Sequence, residues 1–544
     1  MLRFGVGGMR LLLMALLFAP ALLGAAELRD TIDARLEAAW KQQKIEPAAP
    51  AGDAEFLRRI YLDLLGRVPS YEEAVAFLED TSGEKRERLI DRLLADPQFA
   101  VHQADVWDMV YFGRNPPGYN TDKREGFHQF LQRNFAENRP YNVWVGEILR
   151  AEGDTIENGA PLFFVQFSNQ PEDAAEAVTQ RMLGVQLQCA RCHDHPFESW
   201  EQTDFFGMAA FFARLKVVEV GKKNNENTYA IGEMNQGDVL FSGPAAQQQP
   251  GTKGEPIAAR FLGGEPLSEP PLPEGFKEER NFPSGKMPPA PMFSRKNALA
   301  EWVVASENPY LARAAVNRVW AQFMGKGIVE PVDNLSPTIK PSHPELLEDL
   351  ANDFATSGFD MRRLIREIVN SRGYQLSSAG PVSDAHPQWY ERARFRPLSA
   401  EELFESWMVA TGAAEALAAS GKERKGRFEA PGITWDYLRR FFGTPNDGVG
   451  NFQGGLAEHL YLNNGQVHQF ISREPGSLYH ALEKSEEPWE QRVERMFLQT
   501  LSRRPSEAET AKFTEFLTSD DDPRNRLHEA IWCLVSCSEF RFNH

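Results

Sequence analysis

Two segments near opposite ends of this 544-residue chain share one pattern, and that pattern constrains the fold more than any other feature. In each segment, apolar residues at helical spacing run into Arg-x-Pro-Ser, and a Glu follows three residues after the Ser. Ser70 with Glu73, and Ser506 with Glu509, therefore predict two N-terminal capping boxes. We predict one helix–turn–helix unit used twice. A pair of scaffold units packed against each other is the favoured interpretation, and a paired recognition surface is the alternative.

Apolar periodicity predicts a mainly α, multi-helical protein of two domains, with a small β-rich insert and a Pro-rich linker between them. The helices are expected at Val101–Phe112, Gly126–Asn134, Glu172–Leu187, Asp204–Leu215, Asn308–Met324, Leu346–Phe354, Met361–Val369 and, behind a capping box at Ser399, through Val409. Short strands are expected at Val217–Val220, Thr228–Ile231 and Asp238–Phe241. The predicted organisation is a signal peptide over residues 1–26, a helical domain over 27–215, the insert and linker over 216–292, and a second helical domain over 293–544.

The first 26 residues are typical of a secretory signal peptide. Arg3 and Arg10 form a positively charged start, Leu11–Leu23 is apolar, and Gly24-Ala25-Ala26 offers small residues for cleavage. The apolar run is too short for a membrane-spanning helix, and no later stretch is long enough to be one. We therefore expect an exported protein, periplasmic or at the cell surface or secreted, in an oxidising compartment.

Charge and cysteine content exclude some classes of function. The formal net charge is −18, which disfavours nucleic-acid binding because phosphate contacts need basic surface. The four cysteines are too few for a disulfide-dense scaffold. Cys533 and Cys537 are predicted to be buried apolar thiols on the last helix. Composition names no activity, and whether the protein is an enzyme stays open.

The strongest chemical motif is Cys189-Ala-Arg-Cys192-His193-Asp-His195. Cys-x-x-Cys-His is the attachment signature of c-type haem. Two thiols at this spacing can form thioethers with the two vinyl groups of one porphyrin, and the adjacent imidazole can bind the iron. The sequence thus predicts Cys189, Cys192 and His193 as haem-binding residues in an exported redox or electron-transfer protein.

Other interpretations of the motif remain open. Cys189, Cys192, His193 and His195 could together hold zinc or iron in a non-haem site, because thiolates and imidazoles suit these metals. The two cysteines could instead form a disulfide, and His195 could only shape a turn. A third class of function is a structural or glycan-binding surface protein that uses the β-rich insert.

A haem would need a pocket and a sixth ligand. The helix over Asp204–Leu215 carries a stripe of phenylalanines, which is more often core than a haem lining. Met208 on this helix is the first candidate for the axial ligand, and His102, His128 and Met182 are weaker candidates.

Long motifs in both halves of the chain resemble those of a known family. In the first half they are Phe56–Leu65, Gly66–Pro69, Asn138–Trp144, Leu183–Pro196 and Phe205–Phe212. In the second half they are Ala298–Trp302, Val316–Trp320, Gly325–Asp333, Ser342–Leu347, Ser371–Ser377, Arg396–Glu402 and Glu539–His544. The chain resembles exported planctomycete-type proteins built from two successive domains of unknown function, numbered fifteen-forty-nine and fifteen-fifty-three.

The resemblance implies little about chemistry. Many members carry a separate cytochrome-c-like domain near the N-terminus, and this chain shows no such segment, so any haem would use Cys189, Cys192 and His193 alone. The family is associated with secreted sulfatase-like proteins and with extracellular glycan utilisation, which makes a glycan one expected partner. A redox partner protein is the other expected partner, and it follows from the haem prediction.

Overall fold

A computed structural model describes residues 27–114, 125–155, 158–223, 226–241, 254–279, 286–287, 289–380, 386–421, 428, 430, 432–442, 456–519 and 523–544. Within these ranges the protein is mainly helical, as predicted. The predicted signal peptide lies outside the described residues. Among the helices of the described ranges, none combines the length and apolar character needed to cross a membrane.

Ten α-helices lie in the described part of the chain before the insert. They are α1 (Leu28–Gln43), α2 (Asp53–Leu65), α3 (Tyr71–Glu79), α4 (Lys85–Ala95), α5 (Pro97–Phe112), α6 (Glu125–Ala136), α7 (Tyr141–Arg150), α8 (Leu162–Val165), α9 (Pro171–Leu183) and α10 (Gln202–Ala210). Local signals set several of their ends. Asp96 caps α5 by accepting from the backbone N–H of Gln98, and Pro97 takes the first turn, where no N–H is needed.

Short antiparallel strands follow, as the sequence predicts. β1 (Gly153–Asp154) and β2 (Leu215–Lys223) flank β3 (Glu226–Glu233) in one sheet, and β4 (Val239–Phe241) pairs with β5 (Glu255–Ile257) in another. Periodicity did not predict β1 or β5, because strands of two and three residues carry almost no local pattern.

The rest of the chain is again helical. Its helices are α11 (Arg295–Val304), α12 (Leu311–Met324), α13 (Pro344–Thr356), α14 (Met361–Asn370), α15 (Ala400–Ala410), α16 (Ala413–Ala419), α17 (Trp435–Phe442), α18 (Leu456–Asn464), α19 (Leu478–Lys484), α20 (Trp489–Leu501), α21 (Glu507–Thr518), α22 (Pro523–Ser536) and α23 (Ser538–Arg541). β6 (Arg396–Pro397) pairs antiparallel with β7 (Phe542–Asn543), so the end of the chain returns to residues in its middle.

Two hydrophobic clusters form the core. The first takes side chains from α1 through the region of Tyr390 and therefore includes residues on both sides of the predicted linker. The second is built from residues after Leu398, but it also includes Leu62 of α2 and Val68. Helix α2 thus contributes to both clusters and joins them.

The predicted repeat is confirmed. The first repeat unit is α2 with α3, and the second is α20 with α21. In both, the first helix ends at a residue in the left-handed region, Gly66 (φ 66°) and Ser502 (φ 61°), and the second helix begins with a complete capping box. After each of these helix ends, an arginine binds the Glu of the capping box with two hydrogen bonds of 2.8–3.0 Å.

The arginines of the two units also match in their ring contacts. The Arg67 guanidinium lies 5.4 Å from the centre of the Tyr61 ring, and the Arg503 guanidinium lies 5.3 Å from the centre of the Phe497 ring. The left-handed residue turns the chain, and the arginine then holds the capping Glu against the preceding helix. The Arg-x-Pro-Ser-x-x-Glu pattern therefore encodes a complete corner, which explains why it appears twice.

The two repeat units pack against each other, as the scaffold interpretation predicts. Arg58 of α2 is buried, with 1% of its surface exposed, and donates to the carbonyl oxygens of Thr500, Glu539 and Phe540. In the reverse direction, the Arg495 guanidinium of α20 lies 4.7 Å from the centre of the Tyr71 ring of α3. The ends of the chain are thereby held together.

The capping boxes predict a pH-dependent contribution to stability. Arg503 and the Ser506 backbone lower the pKa of Glu509 from 4.5 to about 2. A carboxylate whose pKa falls on folding stabilises the protein above its unfolded pKa, and this contribution is lost as the pH falls from about 4.5 towards 2. We expect Glu509→Gln, which keeps the capping box but not the charge, to cost about 1 kcal/mol at pH 7, since solvent screens the pair. Urea unfolding at several pH values measures this.

Glu507→Gln is the matched control, because Glu507 lies exposed in the same helical turn. It is expected to change the unfolding free energy by less than about 0.5 kcal/mol. A Glu509→Gln cost that is as large near pH 2 as at pH 7 would show that the charge of Glu509 is not what stabilises the corner.

Candidate functional site

The Cys-x-x-Cys-His motif lies just after α9. Gly184, in the left-handed region (φ 66°), ends this helix four residues earlier than the sequence predicted. A single 3-10 turn over Gln188–Arg191 then carries the first cysteine. The Cys189 carbonyl oxygen accepts from the backbone N–H groups of Cys192 and His193, both at 3.3 Å. These bonds fold the motif into one compact turn.

The three residues predicted to attach haem are all accessible. Cys189 and Cys192 are exposed free thiols, and His193 is exposed as well. The Nδ1 atom of His193 lies 2.8 Å from the carbonyl oxygen of Asp194. A carbonyl can only accept, so this bond places the imidazole proton on Nδ1 and leaves the Nε2 lone pair available for a metal.

His195 is engaged differently. Its Nδ1 atom accepts from the backbone N–H groups of Phe197 (3.3 Å) and Glu198 (3.0 Å), which requires the proton on Nε2. Its Nε2 atom lies 3.9 Å from a carboxylate oxygen of Glu198, whose side chain is 5% exposed. His195 therefore closes the loop that follows the motif, as the turn interpretation predicts.

The four residues of the predicted zinc or iron site are not brought together. Within the described part of the chain, no group of three or more His, Cys, Asp or Glu side chains is arranged to hold a metal ion. Since both ring nitrogens of His195 already face protein groups, the structure gives the non-haem hypothesis no support from this residue.

The predicted phenylalanine stripe belongs to the core, although α10 ends at Ala210 and Phe211 and Phe212 follow it. Phe205, Phe211 and Phe212 are buried in the first hydrophobic cluster, and α10 packs against the turn that carries the motif. Met208 is fully buried in the same cluster. A porphyrin attached to the cysteines would therefore lie on the outer side of the turn.

The weaker ligand candidates lie in other environments. Met182 is fully buried in α9, and His128 lies 3.2 Å from Asp105. His102 is buried beside Glu402. None of these three side chains is exposed as His193 is, and the sixth ligand stays a prediction.

One large apolar side chain stands out near the motif. Phe197 is 80% exposed, the highest value among the exposed large hydrophobic residues. It follows His195 in the loop whose backbone that histidine binds. An exposed ring in the loop that directly follows the motif supplies apolar surface close to it in the chain.

The remaining cysteines differ from the prediction. Cys533 is exposed, so its prediction as a buried thiol is wrong. Cys537 is half-buried and lies beyond the end of α22, where its Sγ atom lies 3.0 Å from the Leu534 carbonyl oxygen. Burial raises the pKa of the Cys537 thiol.

A second polar site was missed by sequence reasoning. We call it the seam network; it lies where the two hydrophobic clusters meet and consists of Asp63, Tyr374, Arg396, Glu402 and Asn543. Asp63 accepts from the Tyr374 hydroxyl (2.8 Å), the Arg396 guanidinium (2.8 Å) and the Asn543 amide (2.7 Å). Arg396 also binds both oxygens of Glu402 at 2.8 Å.

Electrostatics in the seam network follow from burial and pairing. Burial raises the pKa of Asp63 against the opposing charge of Arg396. Glu402 is also buried, but Arg396 holds its pKa below the ordinary value. Asp63 and Asn543 lie more than a hundred residues from the other three members. The sequence placed only Arg396 and Glu402 together, within one family motif, and could not show that Asp63 and Asn543 join them.

Two cavities open beside Arg396. The first, which we call the seam cavity, has a volume of about 220 Å³ and is bordered by α5, α12 and the segment before α15. The neighbouring cavity, of about 410 Å³, lies on the other side of Arg396 and is lined by several basic residues, including Lys326 and Arg394.

Comparison with known protein families places two models on the chain. The model described as PSCyt2, protein of unknown function (DUF1549), matches residues 31–217. The model described as PSD1, protein of unknown function (DUF1553), matches residues 295–434. No curated protein and no solved structure gives a significant match.

Proposed function

This chain belongs to the proteins that carry these two domains of unknown function in succession, and we propose that it is a c-type haem protein with an electron-transfer or redox role. The observation that carries the proposal is the state of Cys189, Cys192 and His193. Two free thiols and one imidazole are exposed on a single turn, and the imidazole presents a free Nε2 atom.

The residues fit covalent attachment of a porphyrin. Each thiol would add across one vinyl group: the sulfur forms a bond to one vinyl carbon, and the thiol hydrogen goes to the other. The Asp194 carbonyl fixes the tautomer and orientation of His193, as a hydrogen-bonding partner of a metal-bound histidine does. Bound haem would supply one-electron chemistry at its iron.

The surroundings of the motif support a haem on the surface. The phenylalanines of α10 and of the residues just after it lie in the core, whereas Phe197, in the loop after the motif, is exposed. A haem with one exposed edge is suited to exchanging electrons with a partner protein. Export to an oxidising compartment, where such attachment takes place, and a link to glycan utilisation are parts of the same proposal.

Haem attachment is tested on protein matured in a bacterial periplasm. We expect a Soret absorption band, haem staining on a denaturing gel and a mass gain of one haem. Replacing both Cys189 and Cys192 by Ala should abolish all three signals, because neither thioether can form. Replacing the exposed Cys533 by Ala is the matched control and should change none of them.

Two outcomes would contradict the proposal. One is periplasmic protein without a Soret band and without the mass gain; the other is a mass gain that survives in the double alanine variant. Elemental analysis separates the alternative: stoichiometric zinc or iron without porphyrin would favour the non-haem metal hypothesis.

A further inference from the structure

The seam cavity lies away from the haem-attachment motif and is lined by residues from three parts of the chain. Half-buried Val106, Met109 and Val110 of α5 form an apolar wall, and Arg318 of α12 lies among the other lining residues. The cavity therefore combines an apolar wall with an arginine, which is the usual composition of a small-molecule site.

The acidic groups of the cavity are already paired with bases. Asp105 lies 3.2 Å from His128, Glu401 lies 2.5 Å from Arg114, and Glu402 lies 2.8 Å from Arg396. Glu401 and Glu402 thus each face an arginine, and Asp105 faces a histidine.

Arg318 is a further cation of the cavity wall. It is half-buried, and it makes no hydrogen bond and no ion pair with any residue that the structure describes. It also acts on another arginine: burial, and then the charge of Arg318, lower the pKa of Arg181 to about 10. The N–H donors of this half-buried guanidinium are therefore available to an anion, and a carboxylate would pair with its charge.

His102 adds a polar group to the same cavity. The ring is buried, and its Nε2 atom lies 4.0 Å from Glu402, too far for a hydrogen bond. Burial lowers the pKa of His102, so the neutral imidazole faces the cavity with hydrogen-bonding capacity to spare.

We propose that the seam cavity binds a small carboxylic acid with an apolar tail, its carboxylate on Arg318 and its tail against Val106 and Val110. The planar guanidinium matches the two oxygens of a carboxylate, and the volume of about 220 Å³ limits the ligand to a few carbon atoms. The apolar wall distinguishes such an acid from a bare inorganic anion.

The test uses the full chain and butyrate as the probe, titrated by calorimetry or by ligand-observed NMR. Butyrate should bind, and butyramide, the neutral analogue of equal size, should not. Arg318→Gln should weaken butyrate binding at least about tenfold, since a charge-assisted hydrogen bond is lost. Arg313→Gln is the matched control, because Arg313 lies exposed on the same helix and pairs with Glu348; it should leave binding unchanged.

Further variants test where butyrate binds. Arg318→Lys keeps the charge and should retain part of the affinity, which separates loss of binding from loss of folding. The Cys189→Ala, Cys192→Ala double variant should bind butyrate as the wild type does, so this test is independent of haem attachment.

Several results would overturn the proposal. These are a wild-type chain that does not bind butyrate, equal binding of butyramide, inorganic phosphate bound as tightly as butyrate, or unchanged binding in Arg318→Gln. Loss of binding in Lys326→Gln but not in Arg318→Gln would place the acid in the neighbouring cavity and also refute the assignment.

Discussion

Replacing Arg58 by Met is expected to destabilise the protein by about 4 kcal/mol, the largest effect we predict for any single substitution. Arg58 donates to the Thr500 carbonyl oxygen at the end of α20, and to the Glu539 and Phe540 carbonyl oxygens in α23. The last carbonyls of a helix have no partner within it, so this one guanidinium caps two helix ends. Met has a similar length but no donor.

The expected loss of stability in Arg58→Met is the difference between two opposing contributions. Each buried carbonyl left without a partner costs about 1–3 kcal/mol. Removing the guanidinium also removes the unfavourable free energy of burying its charge, which partly offsets this loss. That desolvation is the reason why the pKa of Arg58 is lowered to about 10. We therefore expect less than the sum over three carbonyls.

Urea unfolding followed by tryptophan fluorescence and circular dichroism measures the change. Arg58→Lys should recover only part of the loss, because an ammonium cannot present the planar set of donors that three carbonyls require. Arg88→Met is the control: its side chain is 53% exposed and pairs with Asp80, so less than about 1 kcal/mol is expected. If Arg58→Met cost no more than Arg88→Met, capping by Arg58 would be refuted.

The second large effect is expected for Asp63→Ala, at about 3 kcal/mol. The substitution leaves the Tyr374 hydroxyl and the Asn543 amide without their acceptor in a buried site. Arg396 keeps its two bonds to Glu402, which limits the loss. The contact between β6 and β7 depends on the same residues, so the transition that unfolds the last helices should shift most.

Two further variants serve as references for Asp63→Ala: the conservative Asp63→Asn and the exposed control Asp91→Ala. Asn keeps one oxygen acceptor and should cost less than Ala. Asp91 is 51% exposed and pairs with Arg366, so its replacement should cost less than about 1 kcal/mol. Equal effects of Asp63→Ala and Asp91→Ala would show that the seam network does not hold the second hydrophobic cluster to the first.

The elements that the sequence predicted well are those with local causes. Capping boxes at Ser70, Ser399 and Ser506 are formed by residues three apart, and all three are present. The end of α9 was misplaced because apolar spacing continues through Leu187, although Gly184 already turns the chain. Strands β6 and β7 were missed because each partner lies more than a hundred residues from the other.

The candidate site shows the same division. The spacing of Cys189, Cys192 and His193 identified three exposed side chains on one turn, but it could not show that His195 binds backbone amides instead. The seam cavity had no sequence signal, because Arg318 looks like any helical arginine until the structure shows that none of the described residues pairs with it. Pairing and burial are tertiary properties, and a single sequence does not encode them locally.

The two repeat units have a consequence for the order in which the chain can fold. The carbonyl groups that Arg58 binds lie 442 to 482 residues later in the chain, and Asn543, which binds Asp63, lies 480 residues later. At a synthesis rate of about 5–20 residues per second, tens of seconds pass between the synthesis of α2 and that of these partners. During that time Arg58 and Asp63 lack the partners that they have in the folded protein. The first repeat unit cannot complete its packing over that time. Its packing is completed only when the second repeat unit and the last residues of the chain have been synthesised.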